Sequence, residues 1–269
     1  MIYTHYNNLA RARVFLYACR TMRDYFKKQI ALPQDHGSWV FILSPLLVGI
    51  FAGGKFDYAI FNLIIATMSA FMIRQPMTVI VKAVSGRRPK SDLVPARFWV
   101  LIYGGIAALS LTALILEGFG YVLYLAIPGI PVFAWHLWLV SQRAERKQAS
   151  VEVIATGVLS LAAPAAYWVG LGRYDPPGWW LMLWVWLQSA ASIVYAYLRL
   201  EQRDLKQDQS NGVALSASKG QERSVLWKMG NRAFLYTSFN LGLSLILGWA
   251  NLIPQLIFIP FLLQWLETL

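Results

Sequence analysis

Arg97-Phe-Trp-Val-Leu-Ile-Tyr-Gly-Gly-Ile-Ala-Ala-Leu-Ser-Leu-Thr-Ala-Leu-Ile-Leu116 decides the fold class. After Arg97 no charge occurs until Glu117. A helix over that run is close to the roughly 20 residues needed to cross the bilayer hydrocarbon. A tight turn around Glu117 and Gly118 leads directly into a second such run. Working outward in both directions gives eight apolar stretches, at 37–54, 56–73, 97–116, 118–140, 151–171, 177–198, 233–249 and 251–267. Alternate connecting segments hold 22 of the 24 Lys and Arg; the other side holds only Lys55 and Arg173. Retention of positive charge in the cytoplasm produces this asymmetry. The expectation is an all-α polytopic bundle of eight spans with both termini cytoplasmic and with its working chemistry on the charged side.

Composition narrows the classes. The 269 residues are 57% hydrophobic and 14% charged, unlike an ordinary soluble domain. One membrane domain over 37–269, preceded by a polar and basic segment 1–36, accounts for the chain. The net charge of +11 reflects topology and attraction to anionic lipid. A nucleic-acid partner is excluded by the division of the basic residues among four lipid-facing segments. The 12 Trp suit interfacial belts, and the single cysteine, Cys19, rules out an internal disulfide. No cleavable signal peptide is evident, so the first span is expected to act as the membrane signal.

Within this frame, residues 8–30 read as an interfacial helix, with Phe15, Cys19, Met22, Phe26 and Ile30 on one face. The first span contains Pro45 and the pair Gly49 and Gly53, spaced for close helix approach. The second span is interrupted by Arg74-Gln75-Pro76. A helix continued past Pro76 places Arg74, Thr78, Lys82 and Ser85 within about 80° of one another. Gly86-Arg87-Arg88-Pro89-Lys90 then forms a basic turn. Pro128 and Pro131 fall inside the fourth span, where kinks are expected. The fifth carries Gly157, Ser160, Ala163 and Pro164, small residues suited to close packing. Tyr197, Glu201, Asp204 and Asp208 share one face of a charged extension of the sixth. A flexible cytoplasmic loop is expected near 201–232, richest in Ser and Gly over 209–219. The two extended helices, second and sixth, lie four spans apart, as in a duplicated four-helix unit sharing one cytoplasmic vestibule.

Each candidate has a sharp and a bland reading. Arg74, at the hydrocarbon edge, marks a partner or wet cavity, or else snorkels to the headgroups. Lys82, Arg87, Arg88 and Lys90 bind an anionic substrate, or set topology. Glu201, Asp204 and Asp208 hold a metal, or form a solvated helix end. Asp35 orients His36 for proton transfer, or caps the first helix. His136 reads as an interfacial residue.

Leu32-Pro33-Gln34-Asp35-His36-Gly37-Ser38-Trp39 before an apolar helix, together with Arg74, Pro76 and Lys82, resembles the YwiC-like family of bacterial membrane proteins. The layout is also similar to the UbiA-type intramembrane prenyltransferases. That resemblance implies Mg²⁺ and an isoprenyl diphosphate held by Asp-rich motifs at the ends of the second and sixth helices. Aligned on Arg88-Pro89, the first motif's carboxylates fall near Met72, Gln75 and Val79, and no Asp or Glu occurs from Gln75 to Lys90. The second motif's place is held by Glu201, Asp204 and Asp208. The resemblance therefore implies a protein that binds an isoprenoid- or lipid-like amphiphile with an anionic head, such as an isoprenyl diphosphate or quinone-type ligand. Arg74, Lys82, Arg87, Arg88 and Lys90 would sit on the head. If the protein is an enzyme, it is a prenyltransferase with a degenerate motif: Glu201, Asp204 and Asp208 hold Mg²⁺, and Asp35, His36 and Tyr197 are catalytic candidates. The alternatives are a non-catalytic assembly partner of another membrane protein and, third, a small-solute transporter. The expected location is a bacterial plasma membrane or an internal, thylakoid-type membrane.

Overall fold

The computed structural model describes residues 25–34, 36–143, 149–210, 219–250 and 255–268. These are helical, with no strand among them. Helices are numbered α1 (Lys28–Ala31), α2 (His36–Gly53), α3 (Tyr58–Val84), α4 (Leu93–Leu116), α5 (Ala126–Ser141), α6 (Ala149–Ser160), α7 (Ala162–Leu171), α8 (Pro177–Ser210), α9 (Lys219–Trp249) and α10 (Phe258–Thr268). Among the described residues, five segments are long and apolar enough to cross a membrane: 58–84, 90–116, 120–141, 150–171 and 177–197. The helices at 37–53 and 233–249 are apolar but shorter. Large apolar side chains such as Leu101, Leu109 and Leu116 stand exposed along α4, as lipid solvation requires. The protein is thus an integral membrane helical bundle.

Two compact units are present. The first comprises residues 1–146 and 161–178, the second 147–160 and 179–269. The boundary falls inside the fifth apolar stretch, not between the fourth and fifth. The cause is local: Pro164 lacks an N–H and its ring opposes the carbonyl of Ser160, so the helix breaks at Leu161 between α6 and α7.

In the first unit α3 and α4 form the main hairpin, and α2 packs on α7. The paired glycines make the second contact possible. A Cβ on Gly49 would meet the Ala163 carbonyl and lie 2.8 Å from the Ala166 Cβ, and one on Gly53 would lie 3.0 Å from the Gly170 Cα. Helices without side chains at the crossing gain dispersion contact that lipid cannot match. Helix α3 continues unbroken through Pro76 to Val84, past the end of the apolar stretch at 73, as the shared face of Arg74, Thr78 and Lys82 requires. Helix α5 begins only at Ala126, after a 3-10 turn at Gly120–Leu125. Pro128 therefore lies in its first turn, where a missing N–H costs nothing, and only Pro131 is interior.

In the second unit α6 packs on α8 through Gly157, where a Cβ would lie 3.0 Å from the Trp186 ring; the Trp186 indole N–H donates to the Val153 carbonyl at 2.7 Å. Helix α9 pairs with α10. Of the stretch 201–232 expected to be a loop, residues 201–210 and 219–232 are helical.

The interfacial reading of residues 8–30 falls mainly on 1–24, outside the described residues. Its last part is not one continuous helix. The chain leaves helical geometry at Phe26 and Lys27, then makes the single turn α1. Phe26 is 61% exposed, whereas Ile30 is 1% exposed and sits against Val79 of α3 and Ala96 of α4. A buried slot between two helices offers Ile30 more apolar contact than the periodic face would.

Candidate functional site

The site is built at one end of the first unit, where α3 stops. Helix α3 ends on a left-handed glycine. Gly86 has φ +71°, its N–H donates to the Ala83 carbonyl at 3.2 Å, and the Arg87 N–H donates to the Lys82 carbonyl at 2.8 Å. This six-to-one closure satisfies the last helix carbonyls and sends the chain back over the helix end. Arg87 and Arg88 emerge from it half-buried, and Lys90 is exposed at the start of a 3-10 turn, Lys90–Asp92.

Upstream, the unbroken α3 places Arg74, Thr78 and Lys82 on one face, four residues apart. The Thr78 hydroxyl donates to the Arg74 carbonyl at 2.8 Å. Arg74 Nη1 donates to the Ser38 hydroxyl at 3.5 Å, and Trp39 meets Phe71 edge to face at 5.2 Å between centroids. The opening of α2 and the basic stretch of α3 are therefore brought together, although 36 residues separate Ser38 from Arg74.

A strap, residues 25–34, closes this end. Its backbone carbonyls accept from three side chains of the hairpin. Gln75 donates to Gln29 at 2.8 Å, the Trp99 indole to Tyr25 at 2.8 Å, and the Tyr103 hydroxyl to Ala31 at 3.1 Å. Asp92 carries the strap's electrostatic tie, lying 4.0 Å from Lys27 Nζ and 3.9 Å from Arg88 Nη1. Residues 25–34 and 74–97 together hold eight Lys and Arg against one Asp. An excess of fixed positive charge at the edge of an apolar bundle attracts an anion.

The family is decided by residues 32–167, which match the model of the YwiC-like proteins. The chain belongs to the YwiC-like family. That span begins at the strap's end, takes in Ser38, Arg74, Lys82 and the turn at Gly86, and stops in α7. The chain is also 25% identical over 230 residues to "Uncharacterized protein YwiC" of Bacillus subtilis (strain 168), covering 82% of this chain and 80% of that one. No solved structure matches.

Other predicted site residues are placed as follows. Asp35 lies outside the described residues, and His36 is the first residue of α2, its side chain likewise outside them. Tyr197 in α8 donates its hydroxyl to Glu152 Oε1 of α6 at 2.8 Å. Glu201, Asp204 and Asp208 belong to the unbroken α8, so one helix face carries all three; their side chains lie outside the described residues. They belong to the second unit, and Arg74, Lys82, Arg87, Arg88 and Lys90 belong to the first. Among the described residues no group of three His, Cys, Asp or Glu is arranged to hold a metal. Sequence reasoning missed Ser38, Gln75, Asp92 and Glu152. Only Asp92, four residues after Arg88, carried a signal, since that spacing sets up an ion pair wherever the chain is helical. The other three depend on contacts between helices.

Proposed function

We propose that the protein binds an amphiphile with a phosphate-type head at the basic end of the first unit, on the cytoplasmic side of the membrane. The observation that carries the reading is the ladder of Arg74, Thr78 and Lys82 on one face of α3, facing the first turn of α2 through Ser38. A guanidinium fork, an ammonium and the Ser38 hydroxyl, which accepts from Arg74 and keeps its own proton, form a donor set suited to a phosphate. Charge-assisted hydrogen bonds contribute about 1.5–3 kcal/mol each. An apolar tail contributes about 0.8 kcal/mol per buried CH₂. The tail therefore dominates partition into the bundle, and the head decides selectivity. An isoprenyl diphosphate or an anionic lipid meets both demands.

If the protein is also a transferase, the Mg²⁺ ligands are Glu201, Asp204 and Asp208, which α8 presents on one face as oxygen donors of the type Mg²⁺ prefers. The carboxylate-free stretch from Gln75 to Lys90 favours a second reading, a non-catalytic partner that keeps the bundle and its ligand.

The test is binding of farnesyl diphosphate and its uncharged acetate ester to the purified chain in detergent, by native mass spectrometry. The expected result is at least tenfold tighter binding of the diphosphate, with the difference lost in Arg74→Ala. Equal binding of the two sinks the reading. Mg²⁺-dependent release of diphosphate, abolished by Glu201→Ala with Asp204→Ala, would mark transfer; binding without release leaves the partner reading.

A further inference from the structure

The second unit carries a different kind of polar chemistry, within its helices rather than at their ends. Asn240 of α9 is fully buried, and its Nδ2 donates to the Leu187 carbonyl of α8 at 3.2 Å. Gln264 of α10 donates its Nε2 to the next carbonyl, Gln188, at 3.0 Å, and to the Ser192 hydroxyl at 3.0 Å. One turn back on α8, Trp184 is 4% exposed and meets Phe261 of α10 with centroids 5.6 Å apart. Trp184–Phe261 and Gln188–Gln264 are thus successive rungs of one α8–α10 contact, with Asn240 entering beside the second rung.

Amide donors reaching helix carbonyls are familiar glue between membrane helices. Glue of this kind uses only the N–H ends. Among the described residues, the opposite ends, Asn240 Oδ1 and Gln264 Oε1, are buried with no hydrogen-bond partner, and so is Trp184 Nε1. The carbonyl bonds fix which end of each amide is which, because a flip would set oxygen against oxygen. Two acceptors and one donor therefore remain on side chains that meet along α8 between Trp184 and Gln188. Dry and unpaired, each is strongly destabilising. Charge does not match them, since no ionised group lies among these residues.

We propose that this seam binds a hydroxyl group, which donates its proton to Asn240 Oδ1 or Gln264 Oε1 and accepts the Trp184 indole N–H on its oxygen. Hydroxyl chemistry reaches such a place from two sources, water or the head of an uncharged long-chain alcohol. The site is separate from the anion site of the first unit and stands without it.

The test uses the full chain labelled with 5-fluorotryptophan in detergent, the Trp184 resonance being assigned by its loss in Trp184→Phe. Its ¹⁹F shift is followed on exchange from H₂O to D₂O, and on titration with decanol and with decane. A solvent isotope shift identifies water. A saturable displacement by decanol and not by decane identifies an alcohol. Either response should be lost in whichever of Gln264→Leu and Asn240→Leu removes the acceptor, and the solvent and decanol arms on the parent chain keep the test open if one variant does not fold. A Trp184 resonance that ignores both solvent and decanol, that moves equally with decane, or that responds unchanged in both variants overturns the proposal.

Discussion

The two units meet the same apolar solvent with opposite devices. The first joins α2 to α7 by removing side chains: Gly49 and Gly53 let the two helices lie backbone to backbone, and its basic groups Arg74, Lys82 and Arg88 lie towards one end, with Asp92. The second joins helices by inserting polar side chains between them, through Asn240, Gln264 and the Trp186 indole. In lipid no hydrophobic force drives helices together, so close packing and hydrogen bonding are the available means. A unit that packs by close approach can keep its charges for a ligand, and a unit that packs by hydrogen bonds keeps unspent acceptors inside. The match to the YwiC-like family runs over the first device and stops before α8.

The sharpest break in this contrast is Gly49→Leu. The new side chain meets the Ala163 carbonyl and the Ala166 Cβ, where neither helix has room to yield. Overpacking of this kind costs about 1–3 kcal/mol in ordinary cores and more against backbone. The expected outcome is loss of the monodisperse species in size-exclusion chromatography. Gly104→Leu, at a position with nothing within 4 Å, should elute as the parent does. Equal behaviour of the two would remove close approach as the first unit's device.

Next in size is Ile30→Ala. Truncating a fully buried aliphatic side chain costs about 2–5 kcal/mol, here borne by the strap alone. Hydrogen-exchange mass spectrometry should show residues 25–34 exchanging faster while α8 and α9 are unchanged. Uniform acceleration would mean that the strap is not a separable closure.

Arg74→Ala should weaken binding of a diphosphate amphiphile by about tenfold to a hundredfold, with Arg74→Lys intermediate because an ammonium cannot form the bidentate contact. The melting temperature without ligand should barely move. A large fall in stability would turn Arg74 from a ligand contact into a strut. The smallest effect belongs to Asp92→Asn. Its two ion pairs, at 3.9 and 4.0 Å, are long and partly solvated, so the loss should be below about 1 kcal/mol and should vanish in high salt. A salt-independent loss would show that Asp92 acts by packing.

Much of the architecture was legible because lipid enforces it. The apolar stretches, the glycine pair and the small residues of the fifth stretch follow from the need to satisfy backbone groups internally and to bring helices close. The passage of α3 through Pro76 was legible too, since Arg74, Thr78 and Lys82 make a coherent face only in a continuous helix. The break at Leu161 was not seen, because Pro164 could equally have sat in an accommodated kink. The slot for Ile30 was invisible, because periodicity says which face a residue occupies and not which neighbour will claim it.

The sequence by itself determined that this chain dissolves in a membrane as helices, that its Lys and Arg concentrate between the apolar stretches, and that no carboxylate occurs from Gln75 to Lys90. These are properties of composition and spacing, fixed before any contact forms. Only the tertiary structure decided that Ser38 meets Arg74, that the strap's carbonyls belong to Gln75, Trp99 and Tyr103, and that one apolar stretch is divided between two units. Those outcomes depend on which helices become neighbours, and in a solvent as uniform as hydrocarbon that choice rests on the shape and hydrogen-bonding valence of whole surfaces, which no single segment contains.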